Sequence, residues 1–174
     1  MSNLPTLHLP TRFGIFAIKG SELGIRQVNL IEKTGQDSPN IPQLLYDCAL
    51  QLQDYFNRKR KDFDLQLDWS DHPDFHQAVW AQLLKIPYGR TTSYLAIANA
   101  LGNPKSVRAV GQANRNNPIA IIVPCHRVVA SSGELHGYFY GLDMKRQLLE
   151  LENPMSYGEQ GSLFWSKKDQ ERKN

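Results

Sequence analysis

Cysteine, histidine and arginine stand side by side at Cys125, His126 and Arg127, directly after the apolar run Ile121-Ile122-Val123 is halted by Pro124. A thiol attacks as its thiolate, so a cysteine beside a proton acceptor and near positive charge sits where its pKa can be lowered. In a regular strand neighbouring side chains diverge, so Cys125 and His126 can cooperate only if Pro124 breaks the strand or a water bridges them. A cysteine hydrolase would use the same pair, but acyl transfer also needs an oxyanion hole and a peptide or ester cleft that the sequence does not advertise. The other cysteine, Cys48, falls on the apolar stripe of a predicted helix and reads as core, which leaves Cys125 as a free thiol.

The elements that must hold this group follow from periodicity. Phe13, Ile15 and Ala17 alternate before Gly20, Val28 and Leu30 continue beyond it, and Phe63, Leu65, Leu67 and Trp69 alternate with Asp64, Gln66 and Asp68, predicting strands of a small, half-buried sheet. Between them Leu44, Leu45, Cys48, Leu52, Tyr55 and Phe56 recur at helical spacing, with Asn40 placed as the cap and Pro42 in the first turn. His8, Tyr55 and Trp69 read as packing or surface residues. Around Ser70-Asp71-His72-Pro73 the period becomes helical, with Phe75, Val79 and Leu83 four apart. A further helix is expected from about Ser93 to Leu101, ended by Gly102, and another from Pro104 to Ala113, capped by Asn103. This is a helix-turn-helix pattern, and its second helix carries the small residues Ala109, Gly111 and Ala113 with Arg108 and, beyond its end, Arg115.

Of 174 residues 41% are apolar, enough for one substantial core or two small ones. The net charge is +3, but Lys85, Arg90, Lys105, Arg108, Arg115 and Arg127 fall in a segment from Lys85 to Gly133 with no Asp or Glu, so the rest of the chain is net acidic. A basic stretch around the reactive residues suits a polyanion such as DNA. A DNA-binding or damage-sensing regulator, in which the helix-turn-helix does the work and Cys125 is incidental, is therefore the alternative reading. No stretch approaches the roughly 20 apolar residues of a membrane span, and Met1-Ser2-Asn3-Leu4-Pro5 does not open a signal peptide, so no membrane partner and a cytoplasmic protein, nucleoid-associated if bacterial, are expected.

The block Pro124-Cys125-His126-Arg127-Val128, with Gly102-Asn103-Pro104, Arg108-Ala109-Val110-Gly111 and Asn117-Pro118 ahead of it, resembles the O6-alkylguanine-DNA alkyltransferases, also called methylated-DNA-protein-cysteine methyltransferases. The resemblance is strong from about Phe75 to Glu152 and follows only the general layout before that. It implies an α/β N-terminal domain over residues 1–70, with a small antiparallel sheet, a covering helix and a ribonuclease-H-like fold. A mainly helical domain over 71–153 would follow, with a winged helix-turn-helix-like element, and a polar tail over 154–174. The implied reaction is irreversible transfer of an alkyl group from guanine O6, with thymine O4 as a second candidate, to the Cys125 sulfur, with no turnover and no cofactor. The alkyltransferase-like damage binders lack the reactive cysteine, and Cys125 argues against them.

Residue by residue, the resemblance makes His126 the base acting through a water, Glu152 the carboxylate that holds it, and Asn117 a brace for the turn carrying the thiol. Tyr94 matches the tyrosine that crowds the flipped nucleotide's phosphate and donates a proton to the guanine ring. Arg108 matches the arginine that intrudes into the base stack, while Leu95, Asn103 and Ser131 match other DNA contacts. Val128, Tyr138 and Phe139 match the lining of the guanine pocket. Where the family often has small residues, this chain runs Gly137-Tyr138-Phe139-Tyr140-Gly141, so Phe139 and Tyr140 are expected to narrow the pocket against bulky adducts. Some members bind a structural zinc in the N-terminal domain, but one cysteine and few histidines in no ligand spacing predict no metal here. The expected partner is double-stranded DNA containing O6-alkylguanine. A one-shot reagent that flips one nucleotide needs no second subunit, so a monomer is expected. In the polar tail Gln160, Ser162, Leu163 and Phe164 resemble the peptide by which bacterial repair proteins dock on the replication sliding clamp, although Gly161 departs from its usual leucine. The apolar residues there could equally fold back over the helical domain.

Overall fold

A computed structural model describes residues 4–154, so the expected clamp peptide Gln160–Phe164 lies outside the described residues. The described residues form two compact units, one built from residues 4–72 with 118–122, the other from 73–117 and 123–154.

In the first unit β1 (Thr6–Thr11), β2 (Gly14–Ser21) and β3 (Gly24–Ile31) form an antiparallel sheet in that order. Leu7 faces Ile18, and Ile18 faces Val28, so one row of apolar side chains crosses all three strands. β1 escapes the period-two reading because its Leu7–Leu9 alternation runs into Pro10, which an edge strand tolerates. Helix α1 (Gln43–Phe56) covers the sheet with Leu45, Cys48, Leu52, Tyr55 and Phe56 buried. Fully buried leucines such as Leu45 and Leu52 each contribute about 1.5–3 kcal/mol of transfer free energy. Phe56 anchors the aromatic end, its ring centroid 5.0 Å from Phe13 and 5.4 Å from Phe16.

Two local expectations are corrected here. Asn40 does not cap α1: the helix starts after Pro42, whose φ of −57° and ψ of 143° are extended, and no side chain caps it. Proline disfavours helical backbone in the residue before it, which pushes the start downstream. The alternation from Phe63 to Trp69 does not become a strand; it meets β3 at a single parallel bridge between Ile25 and Leu67. The cause is competition for one sheet edge. Three residues along, Val28 bridges Ile119 instead, its N–H donating to the Pro118 carbonyl at 2.9 Å. Gly24 admits the 67–68 backbone, since a Cβ there would lie 2.8 Å from the Asp68 nitrogen.

The second unit is mostly helical. Helix α2 (Asp74–Leu83) begins after Pro73, which takes an extended cap conformation rather than the first helical position its sequence suggests, and it buries Val79, Trp80 and Leu83 but leaves Phe75, expected on the same stripe, exposed. Strand β4 (Thr92–Ser93) leads into α3 (Tyr94–Ala100), which Ser93 caps by accepting from the Ala96 N–H at 3.0 Å. Gly102 then takes a φ of +74°, the left-handed conformation that ends a helix. A 3₁₀ turn over Pro104–Ser106, with Asn103 accepting from the Lys105 N–H, opens α4 (Val107–Arg115). α2, α3 and α4 pack on one another, and the Trp80 indole donates to the Ala113 carbonyl at 2.8 Å. A 3₁₀ turn over Cys125–Arg127, β5 (Val128–Val129) paired in parallel with β4, and α5 (Leu142–Glu152) complete the unit. Among the described residues no helix is long and apolar enough to cross a membrane.

Candidate active site

Pro124 does break the extended run. Its φ of −82° and ψ of 62° form an inverse γ-turn in which the Cys125 N–H donates back to the Val123 carbonyl at 2.8 Å. Cys125 and His126 therefore occupy successive positions of a 3₁₀ turn rather than opposite faces of a strand. Two asparagines hold this turn. The Asn117 amide donates to the Val123 carbonyl at 2.8 Å, and the buried Asn114 amide donates to the Cys125 carbonyl at 3.4 Å.

Behind the turn lies a buried charged cluster. His126 is fully buried, and its Nε2 is 2.7 Å from Glu152 Oε1. A carboxylate can only accept, so Nε2 carries the proton and Nδ1 keeps its lone pair. Nδ1 has no protein hydrogen-bond partner. Burial lowers the His126 pKa, outweighing the pull of Glu152, so the imidazole is neutral at pH 7 and competent as a base. Glu152 also receives Arg127 from Nε at 2.9 Å and Nη2 at 3.0 Å, and the Gly89 N–H at 3.0 Å. Burial alone would raise that carboxyl, but the charges and hydrogen bonds of His126 and Arg127 hold it far below the usual carboxylate range. Arg127 Nη1 donates to the Ile86 carbonyl at 2.6 Å, tying the loop before β4 to the end of α5.

The positive charge next to the thiol in sequence is turned away from it: the Arg127 guanidinium is committed to Glu152, and the charge that favours the Cys125 thiolate is that of Lys145. Burial raises the Cys125 pKa, with a hydrogen bond from Asn117 and the charge of Lys145 only partly offsetting it, so the thiol is protonated at rest.

The remaining expected residues separate into two groups. Val128 is fully buried on β5, and Tyr138 is buried with a hydroxyl that has no protein partner. Tyr94 is half-buried at the start of α3; its hydroxyl donates to the His136 carbonyl at 3.2 Å, and burial pushes its pKa up to about 12. Arg108, Leu95, Asn103 and Ser131 are all exposed, as a surface that meets a large partner requires. Phe139 departs from the pocket expectation: its ring is 67% exposed and stands edge-on to Tyr140 at 5.0 Å, so only its backbone is available to line a buried site. The small-residue face of α4 is also narrower than the composition suggests. Val110, Ala113 and Asn114 point inward at helical spacing and Gly111 lies under the Tyr94 ring, leaving Arg108, Ala109, Gln112 and Arg115 outside.

Sequence reasoning missed Lys145, Asn114 and the Arg127–Glu152 pairing. A signal for the first existed: Lys145, Leu148, Leu149 and Glu152 share one stripe of α5, so a lysine and a glutamate sit among buried leucines. Among the described residues no group of three His, Cys, Asp or Glu could hold a metal ion.

Comparison with known proteins places this geometry. Residues 8–69 match the profile of the 6-O-methylguanine DNA methyltransferase ribonuclease-like domain, and residues 74–154 match that of the 6-O-methylguanine DNA methyltransferase DNA binding domain. A methylated-DNA–protein-cysteine methyltransferase of Methanosarcina barkeri is 42% identical over 146 residues, covering 80% of this chain and 90% of the relative. The crystal structure of Mycobacterium tuberculosis O6-methylguanine methyltransferase superposes with a TM-score of 0.78 at 40% identity, covering 88% of this chain and 94% of that one. The same organism's OGT in complex with DNA superposes with a TM-score of 0.76 at 41% identity, covering 84% and 91%. With both domain profiles matched across most of its length, the chain belongs to the 6-O-methylguanine DNA methyltransferase family.

Proposed function

We propose that this protein repairs DNA by direct reversal, taking the alkyl group from O6 of a flipped guanine onto the Cys125 sulfur. The observation that carries the reading is the His126 ring: neutral, oriented by Glu152 through Nε2, and with Nδ1 bare of protein partners beside the cysteine turn. His126 Nδ1 accepts the thiol proton through a water, the sulfur–carbon bond forms as the carbon–O6 bond breaks, and Tyr94 supplies a proton to the departing guanine ring. A thioether is a poor leaving group, so nothing regenerates the thiol and each molecule acts once. Val128, Tyr138 and the backbone at Phe139 line the base site.

The outer surface of the second unit suits duplex DNA. The α3–α4 pair acts as a helix-turn-helix with a wing, α4 lies in the minor groove, and Arg108 fills the gap left by the flipped nucleotide, offsetting part of the few kcal/mol that flipping costs. Leu95, Asn103 and Ser131 make flanking contacts. The protein acts as a monomer, and docking of Gln160–Phe164 on a sliding clamp would bring it to replicating DNA. Failure of a peptide of residues 157–168 to bind a bacterial clamp removes that last element. The main reading is tested by stoichiometry: a limiting amount of protein should restore one guanine per molecule from excess O6-methylguanine duplex and then stop. Continued turnover, or binding without repair, would overturn it, the second outcome favouring the regulatory reading.

A further inference from the structure

Among the described residues three buried side-chain atoms have no hydrogen-bond partner in the protein: Asn114 Oδ1, His126 Nδ1 and the Tyr138 hydroxyl. His126 Nδ1 has its task in proton transfer, and a hydroxyl turns to donate or accept as its surroundings require. Asn114 Oδ1 has neither recourse, because it can only accept and the side chain that carries it is held in place. Asn114 is 2% exposed on the inner face of α4, next to Ala113, whose carbonyl receives the Trp80 indole at 2.8 Å. Its Nδ2 donates to the Cys125 carbonyl at 3.4 Å. Turning the amide over would set two acceptor oxygens against each other, so the nitrogen faces the nucleophile's backbone and the oxygen of the same amide stands beside it without a donor. A buried acceptor left unpaired is destabilising, whereas an apolar group of the same shape is not. The orphaned oxygen therefore needs a donor that arrives with the ligand.

Resting on the alkyl-transfer reading, we propose that Asn114 Oδ1 accepts from the exocyclic amine of the flipped guanine, and so sets guanine adducts above thymine adducts at this site. The donor inventory of the two substrates supports the assignment. Alkylation at O6 removes the hydrogen from guanine N1, and in DNA N9 carries the sugar, so the 2-amino group is the base's remaining N–H donor. O4-alkylthymine has none: its N3 hydrogen is lost on alkylation and N1 carries the sugar. An acceptor-only atom beside the nucleophile gains a hydrogen bond from alkylguanine and stays orphaned with alkylthymine. The amine lies on the base's pairing edge, which is open to the protein once the nucleotide has turned out of the stack. Asn114 then holds the nucleophile's carbonyl through its nitrogen and the base through its oxygen, so that one side chain spaces the two reactants.

The test removes donor and acceptor separately. Single-turnover methyl transfer is compared between duplexes carrying O6-methylguanine and O6-methylhypoxanthine, the same base without the amine, in the parent and in Asn114→Leu, Asn114→Met and Asn114→Asp. The parent should react about tenfold faster with O6-methylguanine. In the Leu and Met variants that ratio should fall to about twofold, while Asp, which keeps an acceptor, should hold it near the parent's. Differences between the duplexes in pairing or flipping are common to every variant and cancel when the ratios are compared. The preference for O6-methylguanine over O4-methylthymine should narrow with the same two apolar substitutions. Loss of the bond to the Cys125 carbonyl slows all substrates alike, and alkylation of Cys125 by iodoacetamide, which needs no DNA, reports how far the turn itself has been disturbed. A hypoxanthine ratio in the Leu and Met variants equal to the parent's, however slow they are, would overturn the proposal and leave Asn114 a brace for the turn. A parent that does not distinguish the two duplexes would overturn it as well. Should one apolar variant not fold, the ratio of the other decides. Absence of methyl transfer from O6-methylguanine in the parent would instead sink the alkyl-transfer reading on which the proposal rests.

Discussion

The two units of this molecule treat charge in opposite ways. In the first, no charged side chain is buried: the core is built from residues such as Leu7, Phe16, Ile18, Ile25, Val28, Leu45, Cys48, Leu52, Tyr55 and Phe56, and the ion pairs of Arg26 with Asp68 and Asp71 and of His8 with Asp37 all keep contact with solvent. In the second, His126, Arg127, Lys145 and Glu152 are all buried within a short stretch of chain. The two cysteines make the same contrast. Cys48 is held against apolar side chains and burial alone pushes its thiol to about 12, whereas Cys125 is also met by Asn117 and by the charge of Lys145. A core built only for stability has no need of buried charge, so the second unit's cluster marks where stability has been given up for reactivity.

That contrast can be broken at several points. The largest effect is expected on chemistry: Glu152→Gln or His126→Ala should slow single-turnover methyl transfer by about 10²–10⁴-fold, the range of a lost general base, while Asp37→Asn in the first unit leaves the rate unchanged. On stability, Arg127→Met should cost about 3–5 kcal/mol in urea denaturation, because it strands the buried Glu152 carboxylate. Leu52→Ala should cost about 2–5 kcal/mol through a cavity, yet leave the thiol's pH profile untouched. Asp71→Asn, at the surface pair, should fall within about 1 kcal/mol of the parent. If the surface pair mattered as much as the buried cluster, the comparison would fail.

A pH series sharpens the point. His126 is neutral in the fold with its pKa lowered, while the unfolded chain takes up that proton below about 6.5. Its contribution is therefore present above that value and lost as the pH falls. Glu152, whose pKa is lowered, acts in the same direction further into acid, below about 4.5. Denaturation midpoints should drop between pH 7.5 and pH 5, and less so in His126→Ala; a flat profile in the parent would show that the cluster carries no such strain.

Much of this was legible beforehand, for identifiable reasons. The Pro124-Cys125-His126 run announces a broken strand with a nucleophile and a base, and Ser93, Gly102 and Asn103 mark the α3–α4 boundaries by local chemistry that needs no tertiary context. The strand expected over Phe63–Trp69 was not realised because its pattern specifies a face but not a partner, and Ile119 already occupies the neighbouring stretch of the β3 edge. Adjacency in sequence misled at Arg127, where the guanidinium beside the thiol turns to a carboxylate 25 residues away. Lys145 was overlooked for the converse reason: its neighbours Asp143, Arg146 and Gln147 read like those of a surface lysine, and only its helical spacing to Leu148, Leu149 and Glu152 signals that α5 buries it.

The central claim is that Cys125 alone keeps the alkyl group. Incubation with excess duplex bearing one O6-methylguanine, followed by intact mass and peptide mapping, should show one added methylene per molecule on the peptide containing Cys125. None should appear on the Cys48 peptide or in Cys125→Ser. An unchanged mass with tight DNA binding, or a methyl group on any other residue, would contradict the account.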